Sequence, residues 1–280
     1  MARFALFAAA AASLLLTRQT VAAQPEVDLA LVLAVDVSRS MDPTEQQLQR
    51  DGYVEAFRHS DVIQAIQSGA MGQIAVTYVE WAGPYCHNIA VPWTIIASAA
   101  DANAFADKLA AAPIGHEFGT SISTGITFAN SLFASSGVTD DRRTIDVSGD
   151  GPNNAGSPVV PAREAVVNSG VTINGLPIML HAAMPDYFGI ANLDAYYRDC
   201  VIGGPGAFMI SVTGTLNFED ATRRKLVTEI AAASRPRLSP DARVVPVADM
   251  NTPPTAAAPI DCMIGEKRRG KFPFGGGDRP

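Results

Sequence analysis

Five oxygen-bearing side chains stand in three short segments of the sequence, each where a loop is expected. Asp36, Ser38 and Ser40 occupy alternate positions at the end of an apolar run. Thr120 follows a glycine ahead of an amphipathic stretch, and Asp150 lies in the polar segment after another apolar run. Because alternate residues of an extended chain face the same side, both serine hydroxyls can turn toward one point.

The chemistry of these five side chains is that of a site for a hard divalent cation. Two are carboxylates, three are hydroxyls, and none is His or Cys. Such a set suits Mg²⁺, Mn²⁺ or Ca²⁺ rather than zinc or copper. With only two anionic ligands, the cation keeps a coordination position open for an exposed Asp or Glu of a partner protein.

Residues of these types also serve purely structural roles. Ser38 and Ser40 are common helix-capping residues, and Asp150 can cap a turn. Alternatively, a domain can keep the fold and bind metal only weakly. Both alternatives remain open at the level of sequence.

The periodicity of apolar residues, together with glycines and prolines between the periodic segments, predicts alternating strands and helices. The predicted strands are residues 28–36, 73–81, 88–96, 143–148, 171–180 and 207–212. The predicted helices are residues 43–59, 61–68, 99–112, 121–134, 158–169, 192–199 and 217–233. This alternation favours an α/β fold, a doubly wound and mostly parallel sheet with helices on both faces. Loops that follow parallel strands gather at one edge of the sheet, which would bring the three polar segments together.

One pair of strands departs from this alternation. The connection between residues 73–81 and 88–96 is too short for a parallel crossover, so it predicts an antiparallel hairpin. Pro92 has no backbone N–H, which places the second strand at an edge of the sheet. Trp81 and Trp93, on these two strands, are expected to pack against a neighbouring helix.

The three polar segments, taken in order, resemble the von Willebrand factor type A domain family. The motifs are D-x-S-x-S at residues 36–40, Gly-Thr at 119–120 and Ser-Gly-Asp-Gly at 148–151. The resemblance covers about residues 26–234 and implies a Rossmann-like doubly wound sheet with a metal-ion-dependent adhesion site formed by the five side chains. Gly149 stands where the family usually has a threonine. The stretches YVEWAGP and IDVSGDGPNN are also similar to a bacterial exported subfamily of unknown function.

Three further residues are candidates for the surroundings of the site. Asn153 and Asn154 follow the third motif and are candidate hydrogen-bonding groups around the metal ligands, although Asn after Gly-Pro also supplies turn geometry. Glu117 precedes the second motif and is a candidate rim residue, or simply an exposed loop residue. Asp42 is expected to cap the first helix, because Glu45 follows at capping-box spacing.

The two ends of the chain differ in composition from the part between them. Residues 1–23 combine a basic start, a short apolar run and a small-residue cleavage site, which predicts a secretory signal peptide. Residues 24–234 are expected to form the von Willebrand factor A-like domain, and the Pro/Gly-rich residues 235–280 an irregular tail. We therefore expect a periplasmic or extracellular protein without an integral membrane segment after signal cleavage.

Net charge indicates which partners are disfavoured, and the cysteine count limits the number of disulfides. Loss of Arg3 and Arg18 with the signal peptide leaves 19 basic against 28 acidic residues, which disfavours nucleic-acid binding. Cys86, Cys200 and Cys262 form an odd set, so at most one internal disulfide is possible. A Cys200–Cys262 bridge would tie the tail to the body, but the sequence does not choose among the three pairs.

These features predict a binding protein without catalytic activity. The sequence has neither a Gly-x-Ser-x-Gly segment nor a Walker A lysine loop. The alternative is a metal-assisted hydrolase of phosphate or ester substrates, for which Glu117 or His116 is the nearby candidate base.

Overall fold

A computed structural model describes residues 23–180, 189–215, 218–233 and 260–269. The predicted signal peptide, except Ala23, and most of the predicted tail lie outside these ranges. The strands of the described residues are β1 (Glu26–Val27), β2 (Leu29–Asp36), β3 (Ile74–Trp81), β4 (His87–Ile96), β5 (Thr139–Asp140), β6 (Arg143–Gly149) and β7 (Val171–Pro177). The helices are α1 (Pro43–Arg58), α2 (Ser60–Gln67), α3 (Ala99–Ala111), α4 (Ile122–Leu132), α5 (Val159–Asn168), α6 (Leu193–Tyr196), α7 (Phe218–Ala233) and α8 (Ile264–Arg269), with a π-helical turn (Tyr197–Val201) after α6.

The main sheet has the strand order β4-β3-β2-β6-β7. β2 pairs in parallel with β3 and with β6, and β6 pairs in parallel with β7. β4 is antiparallel to β3 and forms one edge. The predicted fold class, a mostly parallel sheet with one antiparallel edge strand, is therefore confirmed, with the edge position that Pro92 requires.

Helices cover both faces of the sheet, and the central strand β2 shows why its sequence is almost entirely apolar. Its odd-numbered residues from Leu29 to Val35 belong to one core cluster, which also contains residues of α1, α2, α3 and α7. Ala30, Val32 and Ala34 belong to a second cluster with residues of α4, α5 and α6. Since each fully buried aliphatic side chain contributes about 1.5–3 kcal/mol, both faces of β2 stabilise the fold.

Local signals place the helix starts as expected. The side chain of Asp42 accepts hydrogen bonds from the backbone N–H groups of Thr44 and Glu45, and the Glu45 side chain accepts from the Asp42 N–H, which completes the predicted capping box. Ser98 caps α3 by accepting from the Asp101 N–H.

The two tryptophans of the hairpin pack inward. Trp81 is buried, and a Cβ at Gly125 of α4 would lie 2.9 Å from its ring, so this glycine permits close contact between the helix and the strand. The Trp93 ring lies 5.8 Å from the Phe133 ring, centroid to centroid. Both rings therefore serve packing, as the sequence predicts.

The predicted strand at residues 207–212 was wrong as a continuous strand. This segment runs beside β7 but forms only isolated bridges, Gly175 with Met209 and Ile178 with Val212. The Ile210 N–H donates to the Gly175 carbonyl, and the Val212 N–H donates to the Pro177 carbonyl. Pro177 has no backbone N–H and cannot donate a hydrogen bond to the 207–212 segment. The missing bond interrupts the pairing between the two bridges.

A buried ion network holds α7 against the sheet. The ammonium of Lys225 on α7 lies 2.5 Å from the Asp146 carboxylate of β6 and 2.6 Å from the Glu229 carboxylate. All three side chains are almost completely buried, and the Asn174 amide of β7 also donates to Glu229. Burial and the nearby Glu229 charge raise the pKa of Asp146 to about 7, because one ammonium does not neutralise two carboxylates in a dry interior.

We predict that Lys225→Met lowers the free energy of unfolding by about 3–5 kcal/mol, since it leaves two buried carboxylates without their cation. The matched control is Arg224→Met on the same helix, where the arginine side chain is 62% exposed and pairs with Asp220. The control should cost less than about 1 kcal/mol. Urea denaturation monitored by circular dichroism measures both, and equal losses would contradict the assigned role of Lys225.

Candidate metal centre

The three polar segments meet at the carboxyl edge of the sheet. Asp36 is the last residue of β2, and Asp150 directly follows β6. β2 and β6 are neighbouring parallel strands, with Val35 opposite Ser148. The side chains of Asp36 and Asp150 therefore lie side by side where the two strands end. Thr120 stands in the loop just before α4, which packs on the same strands.

A chain of short contacts connects the five predicted ligands. The Ser38 hydroxyl lies 2.8 Å from the Ser40 hydroxyl, which donates to Asp150 Oδ1 at 2.7 Å. Thr120 Oγ1 donates to Ser38 Oγ at 3.4 Å, and the Ser38 N–H donates to Asp36 Oδ1 at 2.7 Å. All five side chains that the sequence singles out are thus brought to one place.

The electrostatics of Asp36 favour a cation. Its side chain is completely buried, and its Oδ2 has no hydrogen-bond partner among the residues that the structure describes. Burial, and then the charge of Asp150, raise the pKa of the Asp36 carboxyl well above its usual range, although the Ser38 N–H opposes the shift. An orphaned buried carboxylate oxygen beside a second carboxylate is costly, and a bound cation would relieve that cost.

The donor set fits a hard divalent cation. Within the described residues, no group of three or more His, Cys, Asp or Glu side chains could hold a metal ion. A cation here would therefore depend on the two carboxylates together with the hydroxyls of Ser38, Ser40 and Thr120. Hydroxyl and carboxylate oxygens are ligands of Mg²⁺, Mn²⁺ and Ca²⁺.

Asn153 and Asn154 hydrogen-bond to the loops around the five donor side chains. The Asn154 side-chain oxygen accepts from the Thr120 N–H at 3.0 Å, and the Asn154 backbone N–H donates to the Thr120 carbonyl at 2.8 Å. Asn153 is completely buried and accepts from the Ser123 N–H at the start of α4. The two asparagines therefore connect the loop of Asp150 to the loop of Thr120.

Glu117 lies on the rim of the site. Its N–H donates to the Val37 carbonyl, and its carbonyl accepts from the Arg39 N–H, so the backbones of the two loops pair while its side chain stays exposed. An open cleft of about 380 Å³ beside the site is lined in part by Val37, Glu80 and Glu117. The neighbouring His116 is exposed and contacts Gln46.

Tyr197 is a neighbour of the site that sequence reasoning missed. Its hydroxyl donates to the Gly149 carbonyl at 3.4 Å, and a Cβ at Gly149 would lie 3.0 Å from this hydroxyl and 2.8 Å from Asp36 Oδ2. A side chain at residue 149 would therefore crowd Asp36 and Tyr197, and the glycine avoids this crowding. Burial and the charges of Asp36 and Asp150 raise the pKa of the Tyr197 phenol, so it stays neutral.

Comparisons with known proteins give a family and a fold. The sequence profile of a family described as "Protein of unknown function (DUF1194)" matches residues 26–234. No curated protein sequence matches the chain. Proximal thread matrix protein 1 from the mussel byssus, in a structure described as having a zinc-occupied MIDAS motif, matches with a TM-score of 0.54 and 16% identity over 75% of this chain and 48% of that chain.

Two bacterial structures are also similar. The pilus adhesin SpaC from Lactobacillus rhamnosus GG matches with a TM-score of 0.54 and 15% identity over 76% of this chain and 31% of the adhesin. The vWF domain of the type V pili tip protein Mfa5 from Porphyromonas gingivalis matches with a TM-score of 0.49 and 12% identity over 76% of this chain and 98% of that domain. The chain thus spans about half of the mussel protein and about a third of the adhesin.

We predict that Asp36→Asn stabilises the metal-free protein at pH 8 by about 1–3 kcal/mol, the cost of one unsatisfied buried polar group. The sign follows from the raised pKa of Asp36: the folded state loses stability as pH rises from the unfolded pKa through the folded one, and Asn removes this loss. Thermal unfolding in EDTA measures the change. Mg²⁺ should then raise the midpoint of the wild type but not of the variant.

The control for that measurement is Asp51→Asn, which removes the same charge from an exposed position of α1. Its thermal midpoint should match the wild type with and without Mg²⁺. If Asp36→Asn unfolded below the wild type in EDTA, the assignment of electrostatic strain to this carboxylate would be wrong.

Proposed function

The chain belongs to the DUF1194 family and has the von Willebrand factor A fold, and from this premise we propose that it is an exported protein that binds a partner through a divalent cation. The observation that carries the proposal is that the five oxygen-bearing side chains meet at one place, where the buried Oδ2 of Asp36 has no hydrogen-bond partner among the described residues. Asp36, Ser38, Ser40, Thr120 and Asp150 would hold the cation.

The count and charge of the ligands support a role in binding. Mg²⁺ demands six oxygen ligands, and the chain offers five side chains, of which two are anionic. When bound, the cation supplies a Lewis-acidic position for an Asp or Glu carboxylate of the partner. Because the site lies in partly buried surroundings, that attraction is stronger than it would be in bulk water.

We propose Mg²⁺ as the cation, with Mn²⁺ or Ca²⁺ as the other candidates, because all the donors are hard oxygens. The zinc in the MIDAS motif of the mussel protein supports divalent-cation binding by such motifs. Zinc should therefore be tested beside Mg²⁺, Mn²⁺ and Ca²⁺. A partner protein agrees with the adhesin role of the similar protein SpaC.

Export is supported by the sequence of residues 1–23 and by the chemistry of the cysteines. Cys200 and Cys262 form a disulfide, which persists in oxidising compartments such as the periplasm or the cell exterior. Among the described residues, no helix has the length and apolarity needed to cross a bilayer.

We predict that isothermal titration calorimetry detects one cation per chain in the wild type. Asp150→Ala should lose at least about tenfold in affinity, roughly 1.4 kcal/mol, because one of two anionic ligands is removed. Mg²⁺, Mn²⁺, Ca²⁺ and Zn²⁺ are titrated separately, with Asp51→Ala as a control that removes an exposed carboxylate elsewhere. Absence of heat in the wild type would leave the site vestigial and overturn the proposal.

Partner binding is tested by affinity capture from a cell-envelope extract. A specific protein should be retained by the wild type in Mg²⁺, and lost in EDTA or with Asp150→Ala. Equal retention under all three conditions would contradict cation-dependent binding. A panel of phosphatase and esterase substrates addresses the alternative, and turnover abolished by Asp36→Ala would replace binding with hydrolysis.

A further inference from the structure

Residues 260–269, close to the end of the chain, lie against the loop that carries Asp150. They are joined to the domain by the Cys200–Cys262 disulfide, whose two Cα atoms are 5.6 Å apart and which links positions separated by 62 residues. The segment includes the short helix α8, and we refer to residues 260–269 as the C-terminal strap. The predicted tail is thus tied to the body through this pair of cysteines.

The strap approaches the metal-site loop through its backbone. A Cβ at Gly265 would collide with the Asn153 carbonyl oxygen, so the two backbones are in direct contact. The Tyr196 hydroxyl bridges the same region, because it accepts from the Asn153 N–H at 3.1 Å and donates to the Cys262 carbonyl at 3.4 Å. An Arg269 guanidinium N–H also donates to the Asn154 carbonyl at 3.4 Å.

The contact that determines the orientation of Asn153 comes from Glu266. An amide has two N–H donors, and those of Asn153 go to the Ser157 carbonyl at 3.1 Å and to the Glu266 carboxylate at 2.7 Å. With both donors engaged there, the amide oxygen points to the Ser123 N–H at the start of α4. The charge-assisted bond to Glu266 is the stronger of these two, so the strap largely decides how Asn153 connects the loops.

We propose that the C-terminal strap is a positioning device for the metal site, in which Glu266 acts through Asn153 to hold the Asp150 loop against the Thr120 loop. The disulfide keeps Glu266 in place, because a six-residue helix has little stability of its own and relies on its tether for a high effective concentration. The predicted effect on cation affinity rests on the proposed function, whereas the effect on loop order does not.

The test is amide hydrogen exchange in EDTA, followed by mass spectrometry of peptides that cover residues 149–157 and 117–123. Glu266→Ala and Cys262→Ser should each raise exchange in these peptides about tenfold, the factor expected for loss of one charge-assisted hydrogen bond. Cys262→Ser leaves the buried Cys200 thiol in its apolar surroundings. Exchange in peptides from β3 and β4 should stay at the wild-type rate, which separates loop opening from global unfolding.

Two variants distinguish positioning from general packing. Glu266→Gln keeps an oxygen acceptor for Asn153 and should restore most of the protection. Lys267→Ala removes an exposed side chain of the same helix and should behave as wild type. Wild-type exchange rates in both Glu266→Ala and Cys262→Ser would overturn the proposal.

Calorimetry with Mg²⁺ on the same variants adds the cation readout. Glu266→Ala should bind about 10–100-fold more weakly than the wild type, as found when groups that orient metal ligands are removed. If the wild type itself binds no cation while exchange still rises in the variants, the proposed function fails and the strap stands as a clamp on the loops. Unchanged affinity despite raised exchange would overturn the link between the strap and the metal site.

Discussion

Parallel pairing of β2 with β6 is the constraint on which the site depends. Because β2 and β6 are neighbouring parallel strands, Asp36 at the end of β2 and Asp150 after β6 lie at the same edge of the sheet. Two carboxylates are therefore held close together there. Burial raises the pKa of Asp36, and the charge of Asp150 raises it further. The core packed on both faces of β2 keeps the strands paired in spite of the repulsion between Asp36 and Asp150. The hydroxyls of Ser38, Ser40 and Thr120, from two loops, form a hydrogen-bonded chain that ends on Asp150.

Two buried carboxylates of the sheet, Asp146 and Asp36, differ in their charge partners. Asp146, within β6, has the Lys225 ammonium at 2.5 Å and becomes part of the attachment of α7. Asp36, at the end of β2, accepts from the Ser38 N–H on Oδ1, and its Oδ2 has no hydrogen-bond partner in the part of the chain that the structure describes. The Lys225 ammonium compensates the charge of Asp146, whereas Asp36 Oδ2 has no such compensation among the described residues. This contrast is the electrostatic reason for proposing the cation site at Asp36 rather than at Asp146.

The surroundings of the site extend well beyond its three motifs. The Tyr197 hydroxyl lies close to the position that a side chain at residue 149 would occupy, and Asn154 clasps the backbone of Thr120. Glu266 reaches the same loops from more than a hundred residues further along the chain. Groups that orient metal ligands commonly matter almost as much as the ligands. The residues that contact these loops come from the π-helical turn, the Asp150 loop and the C-terminal strap, and the proposed site would depend on them.

The sequence by itself predicted most of the strands and helices, the antiparallel edge strand and the five side chains that lie together at the sheet edge, but not β1, β5 or α8. The predicted features follow from apolar periodicity, from the missing N–H of Pro92 and from the rule that parallel strands end at one edge. Only the tertiary structure decided that Cys200 pairs with Cys262, that Tyr197 crowds Gly149 and that Glu266 orients Asn153. It also decided that residues 207–212 pair only as bridges with β7. Each of these depends on contacts between segments far apart in the chain, which local patterns do not encode.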